Sequence, residues 1–211
     1  MPMALSVSQL TVQVLNTRAR VGRLVAGPLR LRCAIGRGGI RTDKREGDGA
    51  TPAGIWRLCT LHYRPDRLLR PRTGLPVRPL TRHAGWCDAV GDRNYNRAVT
   101  HPYPASAERM WRDDPLYDLV IVLSHNRRPR VQGRGSAVFM HLARAGFEPT
   151  AGCIALERDA MRRLLTRLTS RTRLVIAAPR RVKRPKPPAR QGQNHEHRAP
   201  FCRRPHPAFV R

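Results

Sequence analysis

The sequence predicts a mainly β fold, and three observations carry that prediction. Apolar residues alternate with polar ones in several short runs, the period expected when one face of a strand is buried. Gly and Pro, 16 and 19 of the 211 residues, fall between those runs and mark turns. Helical spacing of apolar residues is clear in one place only, after residue 156.

In chain order, Leu10 to Leu15 sets Leu10, Val12 and Val14 against Thr11, Gln13 and Leu15, and Leu29 to Ile35 sets Leu29, Leu31, Cys33 and Ile35 against Arg30 and Arg32. Both read as half-buried strands of one sheet. Gly54 to Leu61, Asp118 to Ser124, Ser136 to Leu142 and Arg173 to Ala178 are further strands, bounded by turn residues and rich in β-branched or aromatic side chains. From Glu157 to about Leu168 the apolar positions Met161, Leu164, Leu165 and Leu168 follow helical spacing, with Glu157 and Asp159 in the first turn, so this segment reads as a short helix. Between Val77 and Tyr117 no convincing strand is seen. So long a connection is more often a functional loop or lid than filler, and this one carries Trp86, Asp88, Tyr95, Asn96 and Trp111.

The chain divides near residue 179. Residues 180–211 hold ten Lys/Arg, one acid (Glu196) and six prolines, the composition of a disordered basic tail. The expected organisation is an N-terminal extension at 1–9, a catalytic-size domain at 10–179 and this tail at 180–211. Net charge is +27, and only Lys44, Lys183 and Lys186 are lysines. A skew so strongly toward arginine is expected from codon composition and is weak support for selected nucleic-acid binding. The tail suits nonspecific contact with an anionic polymer or membrane surface, or simply solvated disorder. Aromatics make up 5% of the chain and form no ladder interleaved with basic residues, so specific nucleic-acid recognition is not expected. No run of 18 apolar residues occurs, which excludes a plain transmembrane helix. Met1 to Leu15 has no basic n-region or continuous apolar core, so no signal peptide is read there.

Five cysteines, Cys33, Cys59, Cys87, Cys153 and Cys202, are odd in number, widely spaced and without C-x-x-C. That argues against a disulfide framework and a zinc cage and directs attention to a single reactive thiol. In Ser136 to Met161 a strand ending in His141 is followed by a loop, then Thr150-Ala151-Gly152-Cys153 just ahead of the helix. A free thiol is mostly protonated at neutral pH, so a nucleophilic Cys153 needs a base, and His141 is the candidate. Gly152 allows a sharp turn and close backbone approach, so the amides of Gly152 and Cys153 are candidates for binding an oxyanion. On spacing alone, a buried structural cysteine with a histidine at the core edge is the better fit.

These residues resemble a known family. His141 followed by Thr150-Ala151-Gly152-Cys153 is similar to the signature of the L,D-transpeptidase catalytic domain (YkuD-type, or ErfK/YbiS/YcfS/YnhG), in which a His precedes a Ser/Thr-His-Gly-Cys motif. Upstream, Asp48-Gly49-Ala50-Thr51-Pro52-Ala53-Gly54-Ile55-Trp56 is similar to that family's T-P-x-G-x-[FW] turn. The resemblance spans residues 10 to 178 and implies a β-sandwich with a short helix after the catalytic Cys. It further implies attack of Cys153 on a peptidoglycan stem peptide, with His141 as general base and then acid and Gly152 as backbone oxyanion donor. A terminal D-amino acid leaves, and the thioester passes to an amine, giving a cross-link, or to water, giving an L,D-carboxypeptidase. No metal or other cofactor is implied, and the location implied is the periplasm or cell envelope. Two positions depart from the pattern: Ala151 stands where the family has His, and Ala155 where it has Arg or Asn. Arg144 or Arg158 is then expected to supply the missing substrate contact.

Thr150, Trp86, Asp88, Tyr95, Asn96 and Arg144 complete the expected substrate-binding set, although Trp86 and Tyr95 fit equally as packing for the long loop. His83 and Cys87, four apart, have no second pair to make a metal site. His125 ends an apolar strand and reads as a surface histidine, with a role in orienting His141 as the other reading. Gly36-Arg37-Gly38-Gly39 lacks a following Lys-Ser/Thr and reads as a strand-connecting turn. A non-catalytic basic nucleic-acid-binding protein is the alternative for the whole chain.

Overall fold

A computed structural model describes residues 6–14, 16 and 19–178. The expected tail at 180–211 lies outside the described residues, as do the first five residues of the N-terminal extension.

Fourteen strands and one α-helix are present among the described residues. They are β1 (Gln9–Gln13), β2 (Val21–Ala26), β3 (Leu29–Ala34), β4 (Ile40–Arg41), β5 (Thr51–Pro52), β6 (Gly54–Tyr63), β7 (Val77–Pro79), β8 (Ala84–Cys87), β9 (Ala98–Thr100), β10 (Ala107–Arg109), β11 (Leu119–Leu123), β12 (Phe139–Leu142), β13 (Ile154–Leu156), α1 (Arg158–Leu165) and β14 (Arg173–Ile176). The main sheet runs β11-β12-β13-β3-β2-β1-β14-β6-β7, and β11 also pairs with β6. The sandwich therefore takes the form of a closed ladder, with β7 as an outer strand on β6. Closure leaves the eight strands of the ring without a free edge.

Alternation decides what each strand buries. Leu10 and Val12, Leu24 and Ala26, Leu31 and Cys33, Leu119, Ile121 and Leu123, Met140 and Leu142, and Ile154 and Leu156 all enter one core. From α1, Ala160, Met161, Leu164 and Leu165 join the same core, which is why the helix follows β13 so closely. Buried on its other face as well, β11 reads as an unbroken apolar run. There Val120, Val122 and Phe139 meet Trp86, Met110 and Tyr117 in a second core, and Cys153 belongs to it.

The stretch expected to lack strands holds β7 to β10, and β10-β8-β9 form a separate antiparallel sheet. Strands of three or four residues carry too little alternation to show in the sequence. That small sheet supplies the cover for the second core through Trp86. Two expected boundaries also shift. The strand placed at Ser136 begins at Phe139, because Ala137 has φ 48° and the left-handed turn stops the ladder. The helix placed to Leu168 ends at Leu165, where Arg167 and Leu168 bond to the carbonyls three residues back and tighten the last turn.

Candidate active site

Parallel pairing of β12 with β13 sets Met140 opposite Ile154 and His141 opposite Ala155. Because Met140 and Ile154 enter the main core, the alternate residues Phe139, His141, Cys153 and Ala155 share the other face. His141, Cys153 and Ala155 line one cavity of about 580 Å3. The topology thus places His141 on β12 and Cys153 immediately before β13, on one face.

The histidine is 7% exposed. Its Nδ1 lies 2.8 Å from the carbonyl oxygen of Leu142. A carbonyl can only accept, so Nδ1 carries the proton and Nε2 keeps its lone pair. Burial, with the guanidiniums of Arg112 and Arg144, pushes the imidazole down to about 4, against the carbonyl's opposing pull. Tyr117 packs edge-on against the ring at 5.2 Å between centroids.

Cys153 Sγ donates to the Ala137 carbonyl at 3.3 Å and accepts the Phe139 amide at 3.3 Å. Burial pushes the thiol up to about 12, and the Glu108 carboxylate adds to that rise, while the Phe139 amide and Lys44 oppose it. The resting pair is a neutral thiol and a neutral imidazole rather than a thiolate and an imidazolium.

Gly152 has φ 138°, and a Cβ there would sit 2.8 Å from the Ala50 carbonyl oxygen. Only glycine fits this turn. Its amide, expected to face an oxyanion, donates to Thr150 Oγ1 at 3.1 Å, and Thr150 Oγ1 donates to the Cys153 carbonyl at 2.7 Å. Thr150 therefore braces the loop that carries Cys153 as well as lining the cavity. The glycine-rich turn buttresses the same loop: Arg37 N donates to the Thr150 carbonyl at 2.9 Å, and Gly36 N donates to Thr51 Oγ1 at 2.8 Å.

Of the substrate-binding set, Asp88, Thr150 and Arg144 line the cavity, whereas Trp86, Tyr95 and Asn96 do not. Trp86 and Tyr95 are buried, and they pack the small sheet onto the body instead of gripping a ligand. Trp86 Nε1 donates to Asn96 Oδ1 at 2.9 Å, and Tyr95 hydrogen-bonds Glu46. Asn96 in turn holds Ala137 through its amide (3.2 Å) and donates to the carbonyls of His125 and Asn126. Asn96 thus acts one step behind the carbonyl that receives the thiol.

Other expectations are corrected. Arg158 is engaged by Asp118 at 2.6 Å and lies outside the cavity, whereas Arg144 and the unforeseen Arg112 line it and act on His141. His125 is buried, not at the surface; its Nε2 lies 3.0 Å from the Arg134 carbonyl, and the Leu142 carbonyl rather than His125 orients His141. Cys87 is buried in a strand, and among the described residues no three His, Cys, Asp or Glu side chains gather as for a metal.

Several cavity residues left no local signal. Lys44, only 6% exposed, pairs with Asp48 and donates to the Arg45 carbonyl. Tyr117 donates to Glu108, and Arg112 makes a two-pronged contact with Asp114 at 2.8 and 2.6 Å. Each reaches the site from a distant segment, so spacing along the chain could not reveal it.

A family model described as the L,D-transpeptidase catalytic domain (YkuD) matches residues 13–176. No curated protein matches the chain. One solved structure, "Structure of Bdellovibrio bacteriovorus Bd1075", aligns with 13% identity and a TM-score of 0.38, covering 83% of this chain and 51% of that one. The chain thus spans about half the length of that protein.

Proposed function

The chain belongs to the L,D-transpeptidase catalytic domain family, and from that premise we propose that it is a cysteine acyltransferase of peptidoglycan stem peptides, working through a thioester on Cys153. The family acts on such peptides. The observation that carries the reading for this chain is the shared face of His141 and Cys153, with the Nε2 lone pair left available.

The cysteine attacks the carbonyl after the third residue of the stem as His141 Nε2 takes the thiol proton. A neutral resting pair makes proton transfer part of the attack, which is general base catalysis rather than prior ionisation. The oxyanion forms at the Gly152–Cys153 turn, where it takes the Gly152 amide from Thr150 Oγ1. His141 then protonates the departing D-amino acid, and the thioester remains on Cys153. An amine of a neighbouring stem resolves it to a cross-link; water resolves it to a shortened stem, the L,D-carboxypeptidase outcome. Arg144, exposed and paired with Glu148 only at 3.9 Å, supplies the positive charge for a substrate carboxylate that Ala151 and Ala155 cannot. Family members are typically periplasmic or in the cell envelope, and the same location is proposed here.

Product analysis tests this reading. Incubation with a tetrapeptide stem is expected to release the terminal D-amino acid together with cross-linked dimer or tripeptide, and Cys153→Ser is expected to release none. Release by Cys153→Ser at the wild-type rate would contradict it. The alternative of a nucleic-acid module has less support, since no aromatic side chain is exposed among the described residues to stack on bases.

A further inference from the structure

We propose that Glu108, held by the Tyr117 hydroxyl in the cavity that Cys153 lines, is the residue that receives the ammonium of the incoming acceptor amine. The inference rests on the acyl-transfer reading above and names which group decides between amine and water.

Glu108 lies on β10, in the small sheet, and lines the cavity with Cys153 and His141. The Tyr117 phenol donates to one carboxylate oxygen, and the edge of the same ring packs on His141. A phenol is a neutral donor, so it fixes the carboxylate without cancelling its charge. Among the described residues Glu108 makes no ion pair. Arg112, the cation whose charge acts on Glu108, is engaged by Asp114 through both prongs of its guanidinium. Of the other cavity acids, Glu46 likewise accepts a tyrosine hydroxyl, that of Tyr95, whereas the tyrosine that holds Glu108 also packs on His141; Glu148 pairs with Arg144 at 3.9 Å. Asp88, across the β8–β10 pairing, has a buried carboxylate oxygen with no hydrogen-bond partner and lines the same cavity.

Burial raises the Glu108 carboxyl and Arg112 opposes that rise; in its ionised form this carboxylate, in the cavity that Cys153 lines, opposes the first half-reaction. Its charge raises the Cys153 thiol and so works against removal of the proton. Once the sulfur is a neutral thioester that penalty vanishes. The same charge then favours a cation next to the acylated sulfur. An amine needs that help, because with an ordinary pKa of about 10.4 it arrives protonated and without a lone pair.

The step balances. One proton of the ammonium passes to Glu108 and on to solvent, and the freed lone pair attacks the thioester carbonyl. The C–N bond forms, the C–S bond breaks, and the second nitrogen proton passes through His141 to the sulfur. The products are an amide and the Cys153 thiol.

The test uses the full chain with a tetrapeptide stem as donor and two competing acceptors. One is Nα-acetyl-lysine, charged at neutral pH; the other is hydroxylamine, which is uncharged there. Mass spectrometry reads the ratio of amide to hydroxamate. Glu108→Gln is expected to lower that ratio at least tenfold, and Glu108→Asp, which withdraws the charge by one methylene, to lower it less. Glu157→Gln, outside the cavity, keeps the wild-type ratio. A ratio within twofold of wild type in a folded Glu108 variant overturns the proposal. So does a defect that follows donor concentration instead of acceptor charge, or a wild type that forms the acyl-enzyme but no amide. Absence of any acyl-enzyme on wild-type Cys153 defeats the acyl-transfer reading itself, and the inference with it.

Discussion

The His141 ring is fixed by the main chain of its own neighbour: Nδ1 donates to the Leu142 carbonyl at 2.8 Å. A backbone carbonyl cannot be removed by mutation or protonated near neutral pH, so the imidazole keeps its tautomer without an acidic partner. It lacks, for the same reason, the negative charge that stabilises an imidazolium in a triad with a carboxylate.

Replacing the histidine should therefore act on chemistry directly. His141→Ala is expected to slow acylation of Cys153 by about 10²–10⁴-fold, the usual worth of a general base. Stopped-flow or quenched acylation with a stem peptide or a carbapenem measures it, and a change under threefold speaks against the assigned role.

The same burial links His141 to acid stability. Its pKa falls from 6.5 to about 4 on folding, so between those values the unfolded chain binds a proton that the folded chain does not. Stability is then lost as pH falls through that window. His141→Gln should show a shallower loss over the same range in denaturant titrations; parallel curves for the two proteins exclude the link.

Cys153 should be a slow thiol at rest. With burial and Glu108 raising it to about 12, alkylation by iodoacetamide, read at the Cys153 peptide, should climb steadily from about pH 6 to about pH 9. A flat plateau across neutral pH is the mark of a thiolate–imidazolium pair and would refute the neutral resting state.

Gly152 and Asn96 test the frame that holds the thiol. Gly152→Ala places a Cβ 2.8 Å from the Ala50 carbonyl at φ 138°, and should destabilise the protein by about 1–3 kcal/mol while abolishing acylation.

Asn96→Ala leaves Trp86 Nε1 and the Ala137 amide without their acceptor. Buried groups so deprived cost about 1–3 kcal/mol each. The expected signature is a lowered melting temperature and slower acylation; a raised KM for the stem peptide at unchanged stability would return Asn96 to a substrate-gripping role.

How far the sequence revealed all this depended on whether the signal was local. Asp118 to Ser124 reads as a strand because both its faces are covered, and the sharp turn at Gly152 next to Cys153 is visible in four consecutive residues. The order of motifs set His141 on a strand ahead of the cysteine loop, but the parallel pairing of β12 with β13, which puts His141 opposite Ala155 and on the same face as Cys153, is a long-range contact that spacing does not reveal. Glu108, Tyr117, Arg112 and Lys44 were invisible, since charged or aromatic residues in short irregular segments carry no period, and only the fold brings them to the cavity. For Trp86 the sequence left ligand contact and packing equally open, and Asn96 read as a ligand contact; the structure pairs the two side chains. A tryptophan and an asparagine in a long loop suit either a ligand or each other, and here each satisfies the other's buried polar group.

The most direct test is intact-protein mass spectrometry of wild type, Cys153→Ser and His141→Ala after incubation with a tetrapeptide stem or a carbapenem. The predicted result is a covalent adduct that maps to Cys153, is absent from Cys153→Ser and accumulates slowly in His141→Ala. Folded wild-type protein that takes up neither reagent, or an adduct that persists in Cys153→Ser, would contradict acyl transfer at this site.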